Sequence, residues 1–220
     1  MSQELKKRII TSFFLISLLV IMFLYTYVLI IALIIIVIIC WFEFYALISK
    51  IFLKDNNINK ILRFFYKAIS LFYLSSIVYL IMMVKIEIPE LEIFLIFSIL
   101  ISIASDIGGL VIGKIFKGRK LTKISPGKTL SGAIGSCIFS LFLIPFFYQY
   151  FLNQSLIFII IITLVISITS QLGDLFISLL KRKAKVKDTS DLLPGHGGVL
   201  DRIDGIIFAI PIGFLLLYYL

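Results

Sequence analysis

The sequence predicts an all-α, polytopic integral membrane protein of about seven transmembrane helices with a cytoplasmic N-terminus. Three observations lead there. Of 220 residues, 61% are hydrophobic and 15% charged, more apolar surface than the core of a soluble domain of this size can bury. Residues 9–42 and 129–173 run for 34 and 45 residues without a charge, where a spanning helix needs about 20. Every Lys and Arg except Lys85 lies in or beside the N-terminus or the segments 50–67, 114–129 and 181–200, and seven helices place all four on one side, the cytoplasmic one. The net charge of +9 has the same origin, so no nucleic acid is expected as a partner.

Residues 9–42 are too long for one helix, which would extend about 51 Å against a hydrocarbon core of about 30 Å. They divide into helices over 9–25 and 27–49, turning near Tyr25-Thr26-Tyr27. The Lys6-Lys7-Arg8 cluster before them lacks a following small-residue cleavage site, which marks a retained anchor. Glu43, near the end of the second helix, is expected to snorkel to the interface. Residues 50–67 form a basic connection, and a third helix covers 62–84. A short acidic loop with Pro89 leads to a fourth helix over 93–113, interrupted at Asp106-Ile107-Gly108-Gly109. The polar loop 114–129 precedes a fifth helix over 130–151, and Asn153-Gln154-Ser155 turns into a sixth over 156–180. The seventh runs from Leu200 to Leu220, with a kink expected at Pro211 and Gly213. Cys40 and Cys137 sit in apolar segments and read as small buried hydrophobes.

The chemistry concentrates in residues 171–204, which hold a third of the charged side chains and the single His, His196. Asp174 lies seven residues before Lys181, about 10 Å along the helix from its basic end. An acid there faces the bundle interior or a wet cavity, or pairs with a basic residue. Asp106 sits likewise seven residues before Gly113. Asp201 and Asp204, spaced i, i+3, share one face of the first turn of the seventh helix, where the helix dipole favours anions. Alone, such a pair serves equally to cap a helix and pair with Arg202. With Asp174, at helix ends emerging on the same side, three carboxylates can converge. Hard oxygen ligands suit Mg²⁺, and the lack of a Cys/His cluster argues against zinc.

Pro194-Gly195-His196-Gly197-Gly198 precedes that helix and is either an anion nest of backbone N–H groups or a plain connection. Lys181, Arg182, Lys185, Lys187 and Arg202 are cations nearby. In the loop 114–129, Ser125-Pro126-Gly127-Lys128-Thr129 looks like half of a phosphate loop but lacks its spacing and its preceding strand. Acids for a metal, with cations and glycines for phosphates, describe phosphoryl or nucleotidyl transfer to a lipid.

Residues 178–204, SLLKRKAKVKDTSDLLPGHGGVLDRID, resemble the signature of the phosphatidate cytidylyltransferases (CDP-diacylglycerol synthases). The Lys-Arg, Lys-Asp, His-Gly-Gly and Asp-Arg-x-Asp elements stand at that family's spacing, as does Gly173-Asp174. The likeness extends back through Ser125-Pro126, Lys128-Thr129 and Gly132, covering residues 100–220. The chain departs from the family pattern at Gly108-Gly109, Gly127, Leu130-Ser131 and Ile177. The resemblance implies transfer of the cytidylyl group of CTP to phosphatidate by a homodimer of the bacterial inner membrane, with its active site at the cytoplasmic side. It implies Mg²⁺ near Asp174, Asp201 and Asp204, assisted by a monovalent cation such as K⁺. It gives catalytic roles also to Lys187 and to Asp188, which orients Lys187 or water. Lys181, Arg182, Lys187 and Arg202 neutralise phosphates. His196, Gly197, Gly198, Ser125, Lys128 and Thr129 contact substrate, and Asp106 is an additional candidate. Residues 1–90 are then N-terminal transmembrane helices, and 91–220 the catalytic region with loops 114–129 and 181–200. A cytidylyltransferase acting on another lipid phosphate is the nearer alternative. A cation-coupled transporter with Asp106 and Asp174 as relay is the more distant one, since it has no need of HGG-x-x-DR-x-D beside its helix ends.

Overall fold

A computed structural model describes residues 3–54, 56–122, 125, 127–151, 154–195 and 197–218. These form helices α1 (Gln3–Leu24), α2 (Thr26–Ile51), α3 (Asn57–Ile86), α4 (Glu92–Phe116), α5 (Leu130–Leu141), α6 (Ile144–Phe147), α7 (Leu156–Lys183), α8 (Leu200–Ile203) and α9 (Ile206–Tyr218). Among the described residues five segments are long and apolar enough to cross a membrane: Thr26–Ile51, Asn57–Ile86, Pro89–Phe116, Leu130–Phe151 and Leu156–Lys183. Large apolar side chains such as Phe72, Tyr79, Phe142, Phe146 and Ile157 are exposed on these segments, as lipid-facing residues are. The chain divides into two compact units, one of Met1–Lys85 with Leu180–Ile203, the other of Ile86–Leu179 with Asp204–Leu220.

In the first unit, α1 and α2 are separated at Tyr25, whose backbone is extended (φ −125°, ψ 108°). The end of α2 meets the start of α3 through aromatic and basic side chains. Trp41 Nε1 donates to the Lys67 carbonyl at 3.1 Å, and Lys67 Nζ lies 4.8 Å from the Trp41 ring centre and 4.6 Å from that of Tyr45. Such cation–π contacts hold the ammonium over the ring faces. The third helix begins earlier than the apolar pattern indicates because Asn56 caps it, its Oδ1 accepting from Asn59 N at 2.9 Å. The last turn of α7 also belongs to this unit and ends in a Schellman motif. Val186 N donates to Lys181 O and Lys185 N to Arg182 O, with Lys185 at φ +57°.

In the second unit, α4 passes through Asp106–Gly109 without the expected interruption. The glycines there serve packing. A Cβ on Gly108 would stand 2.5 Å from the Gly135 carbonyl oxygen, so the absence of side chains lets α4 and α5 approach closely, as small residues do in membrane bundles. Phe97, Ile101, Ile159, Ile162, Ile166 and Ala209 form the core of this unit, with Phe97 between the rings of Phe147 and Phe151. Buried hydroxyls lace the same helices. Ser136 Oγ donates to Ser105 O at 2.6 Å, and Ser102 and Ser170 share a hydrogen bond of 2.7 Å, so these groups are not left unpaired in an apolar interior.

Two expected helices are subdivided. The fifth ends at Leu141 and resumes as α6 and a 3₁₀ turn, Tyr148–Phe151, because Pro145 enters the first turn of α6 with no N–H to continue the ladder. The seventh is one turn, α8, followed by a bend at Asp204-Gly205 and then α9. The Asp204 carboxyl takes the Gly205 N–H at 2.9 Å, and a Cβ on Gly205 would lie 3.0 Å from Ser102 Oγ. Pro211 stays inside α9, so the bend falls at Asp204-Gly205.

Candidate active site

The segment after α7 closes on itself at Leu193 and Gly197. Leu193 N donates to Gly197 O at 2.8 Å and Gly197 N to Leu193 O at 3.1 Å. Gly195 and Gly197 hold φ of +76° and +82°, a region in which a side chain is strained. His196, between them, lies outside the described residues. Gly198 N then donates to Asp201 Oδ2 at 3.0 Å. Of the two readings of this loop, an anion nest or a plain connection, the N–H groups of Gly197 and Gly198 fit the second, since both donate within the turn.

Asp201 organises this cluster. Its side chain is 2% exposed, and its Oδ1 accepts from Lys181 Nζ at 2.6 Å. Its Oδ2 accepts from Thr189 N at 2.7 Å and Thr189 Oγ1 at 2.9 Å besides Gly198 N. Burial pushes the carboxyl pKa up, but the hydrogen bonds from Lys181, Thr189 and Gly198 and the Lys181 charge outweigh it and hold the group below the usual carboxylate range. Beside it, Lys187, Asp188, Gly197 and Arg202 line, with Asp191 and Pro194, an open pocket of about 620 Å³. Arg182, Lys187, Asp188 and Arg202 are exposed.

The second unit holds its own cluster. Lys128 pairs with Asp174 Oδ2, and Ser178 Oγ makes a long 3.4 Å contact to Asp174 Oδ1. Lys128 is positioned by a narrow hairpin in which Leu121 N donates to Lys128 O and Leu130 N to Arg119 O, both at 2.8 Å. Lys128 N donates to Ser125 O at 3.0 Å. Thr129 caps α5, its Oγ1 accepting from Gly132 N at 3.0 Å. Pro126 lies outside the described residues. Asp204 is buried, at 6% exposure. A Cβ on Gly173 would stand 2.7 Å from the Asp204 carbonyl, so a glycine beside Asp174 admits the backbone of the Asp204 turn. Asp106 is on an exposed face of α4.

Among the described residues no three His, Cys, Asp or Glu side chains are grouped as metal ligands. Asp201 and Asp174 are each matched by a lysine instead. Among the described residues, Asp201 Oδ1 has one hydrogen-bond partner and Asp174 Oδ1 the long contact from Ser178, which leaves lone pairs on both. Carboxylate oxygens of this type are the donors Mg²⁺ takes.

The expectation for Glu43 is overturned. It is 6% exposed, and its carboxyl is taken up inside the protein instead of standing in water. Oε1 accepts from Ser190 Oγ at 2.6 Å and Val199 N at 3.0 Å, and Oε2 from Thr189 Oγ1 at 2.9 Å and Leu200 N at 2.8 Å. Three donors, with the Thr189 hydroxyl shared with Asp201 as a fourth, meet its oxygens within the protein. Thr189 and Ser190 were likewise not singled out from the sequence. The signal available was an acid in an apolar helix and two hydroxyl residues directly after Asp188.

The model of the cytidylyltransferase family matches residues 4–220, and the chain belongs to that family. It is 46% identical over 121 residues to a phosphatidate cytidylyltransferase of Rickettsia bellii (strain RML369-C), covering 50% of this chain and 52% of the relative. To that of Rickettsia typhi (strain ATCC VR-144 / Wilmington) it is 42% identical over 144 residues, 61% of each chain. To that of Haemophilus influenzae (strain ATCC 51907 / DSM 11121 / KW20 / Rd) it is 43% identical over 132 residues, 56% of this chain and 45% of the relative. The chain thus spans about half to three fifths of the length of these relatives.

Proposed function

We propose that the protein transfers the cytidylyl group of CTP to phosphatidate, forming CDP-diacylglycerol and pyrophosphate. The supporting observation is the pocket beside the Asp201 turn, where Lys187 and Arg202 stand at a glycine-built bend, in a chain of the cytidylyltransferase family. A phosphate oxygen of phosphatidate attacks the α-phosphorus of CTP. The new O–P bond forms as the bond from the α-phosphorus to the bridging oxygen breaks, and pyrophosphate leaves with the electron pair. The nucleophile is already anionic near neutral pH, so the site's task is orientation and charge neutralisation. Lys187 and Arg202 take that part at the pocket, with Asp188 orienting Lys187, and Lys181, Arg182, His196 and Lys128 add positive charge or donors. The turn through Gly197 and Gly198 sets their spacing, as Ser125 and Thr129 set that of Lys128.

Mg²⁺ is the cation this acidic set suits, with Asp174, Asp201 and Asp204 as its carboxylates and K⁺ as a monovalent assistant. Bound, Mg²⁺ would withdraw charge from the triphosphate. The protein works as a homodimer in the bacterial inner membrane, with seven spans and the N-terminus and active site on the cytoplasmic side, as the clustering of Lys and Arg supports.

The experiment incubates purified protein in detergent with labelled CTP, Mg²⁺ and phosphatidate, with a polyprenyl phosphate in a parallel arm. Labelled CDP-diacylglycerol is expected. Well-folded protein that yields no labelled lipid from phosphatidate would refute the proposal.

A further inference from the structure

We infer that Glu43, on α2, is a positioning residue for the phosphate-handling loop, an inference that rests on the function proposed above. An acid within a long apolar helix carries a cost of insertion, so its surroundings should show what offsets it. They consist of the loop. Glu43 receives the hydroxyls of Thr189 and Ser190 and the backbone N–H groups of Val199 and Leu200. These donors bracket the whole of the turn, two of them just after Asp188 and two just before Asp201 and Arg202.

Glu43 and Asp201 meet at Thr189. Its hydroxyl lies 2.9 Å from Glu43 Oε2 and 2.9 Å from Asp201 Oδ2, and its N–H donates to Asp201. One hydroxyl proton serves one acceptor at a time, so Thr189 bridges the two acids. The space between them is reserved for a glycine. A Cβ on Gly198 would collide with Thr189 Oγ1 and stand 2.6 Å from both Glu43 oxygens. A second tether comes from α1, where Thr11 Oγ1 donates to the Pro194 carbonyl at 3.2 Å. Among the described residues, Glu43 neither lines the pocket nor pairs with its cations. It acts through Thr189, Gly198 and α8 on where Asp188, Gly197 and Arg202 stand, so the N-terminal helices supply part of the geometry that CTP meets.

The test uses the full chain in lipid nanodiscs with Glu43→Gln, which puts an amide N–H₂ against donors. Hydrogen bonds to a charged group are strong enough that their loss changes a local equilibrium by about tenfold to a hundredfold. Amide exchange in 197–203 is therefore expected to rise by about tenfold or more, with α4 and α5 unchanged. In the transfer assay the KM for CTP should rise by a similar factor while that for phosphatidate moves little. Glu43→Asp should restore part of both. Exchange in 197–203 equal to the wild type, or a rise spread equally over α4 and α5, would overturn the inference. If Glu43→Gln does not accumulate as folded protein, Ser190→Ala removes one donor only and should still raise exchange in that segment, and no change there overturns it too. Wild-type protein without cytidylyl transfer sinks the functional proposal instead and leaves the exchange result standing.

Discussion

Replacing Lys181 by Met removes one half of a buried pair and leaves the other in place. The ammonium and carboxyl are 2.6 Å apart at 13% and 2% exposure, so Asp201 would keep its charge in a site with little access to water. Breaking such a pair from one side costs about 3–5 kcal/mol. Asp201 retains the Thr189 and Gly198 N–H groups on Oδ2, and shares the Thr189 hydroxyl with Glu43, which places the expectation at the lower end, about 3 kcal/mol. For a chain of this length that lowers Tm by about 6–12 °C. The assay is thermal unfolding in detergent followed by Trp41, the single Trp, which sits in the same unit as the pair. The variant Lys181→Met/Asp201→Asn removes the stranded charge, so it should be more stable than the sum of the two single losses, with a coupling of about 2 kcal/mol. An unchanged Tm in Lys181→Met, or strictly additive losses, would refute the reasoning.

Gly198→Ala should be more damaging than its size indicates. Overpacking against Thr189 and Glu43 costs about 1–3 kcal/mol, and CTP-dependent transfer should fall at least tenfold; a variant with wild-type kcat/KM would contradict the close packing. Asp204→Asn should abolish turnover while leaving membrane insertion intact, read by labelled product and by recovery in the membrane fraction. Near-normal activity would remove Asp204 from the metal-binding set. Thr129→Ala deletes the cap on α5, costing about 1 kcal/mol, so Tm should fall by about 2–4 °C; no change in Tm would show the cap to be idle.

The long apolar segments were legible because their cause is local: a run without charges states its own environment. The helix ends were less legible. Gly108-Gly109 reads as a break because glycine weakens an isolated helix, yet the structure uses both to seat α5 against α4. Pro145 is a signal the apolar pattern overrode, and it divides the fifth helix. Asp204 reads as part of a regular helix by spacing, whereas its side chain takes the next N–H. Glu43 was out of reach for a different reason. Its partners are 146 to 157 residues away in sequence, and no periodicity records which distant donors an acid will meet.

That separation has a consequence for biosynthesis. Glu43 enters the membrane with the first helices, but Leu200 is made 157 residues later. At about 5–20 residues per second, the acid waits about 8–30 s before its donors exist. During that interval α2 carries an unmatched carboxyl, and the unit it belongs to cannot close until the polar segment after α7 has been synthesised. The first unit is begun first and completed nearly last, so truncation after α7 would strand the N-terminal helices as well as remove the loop.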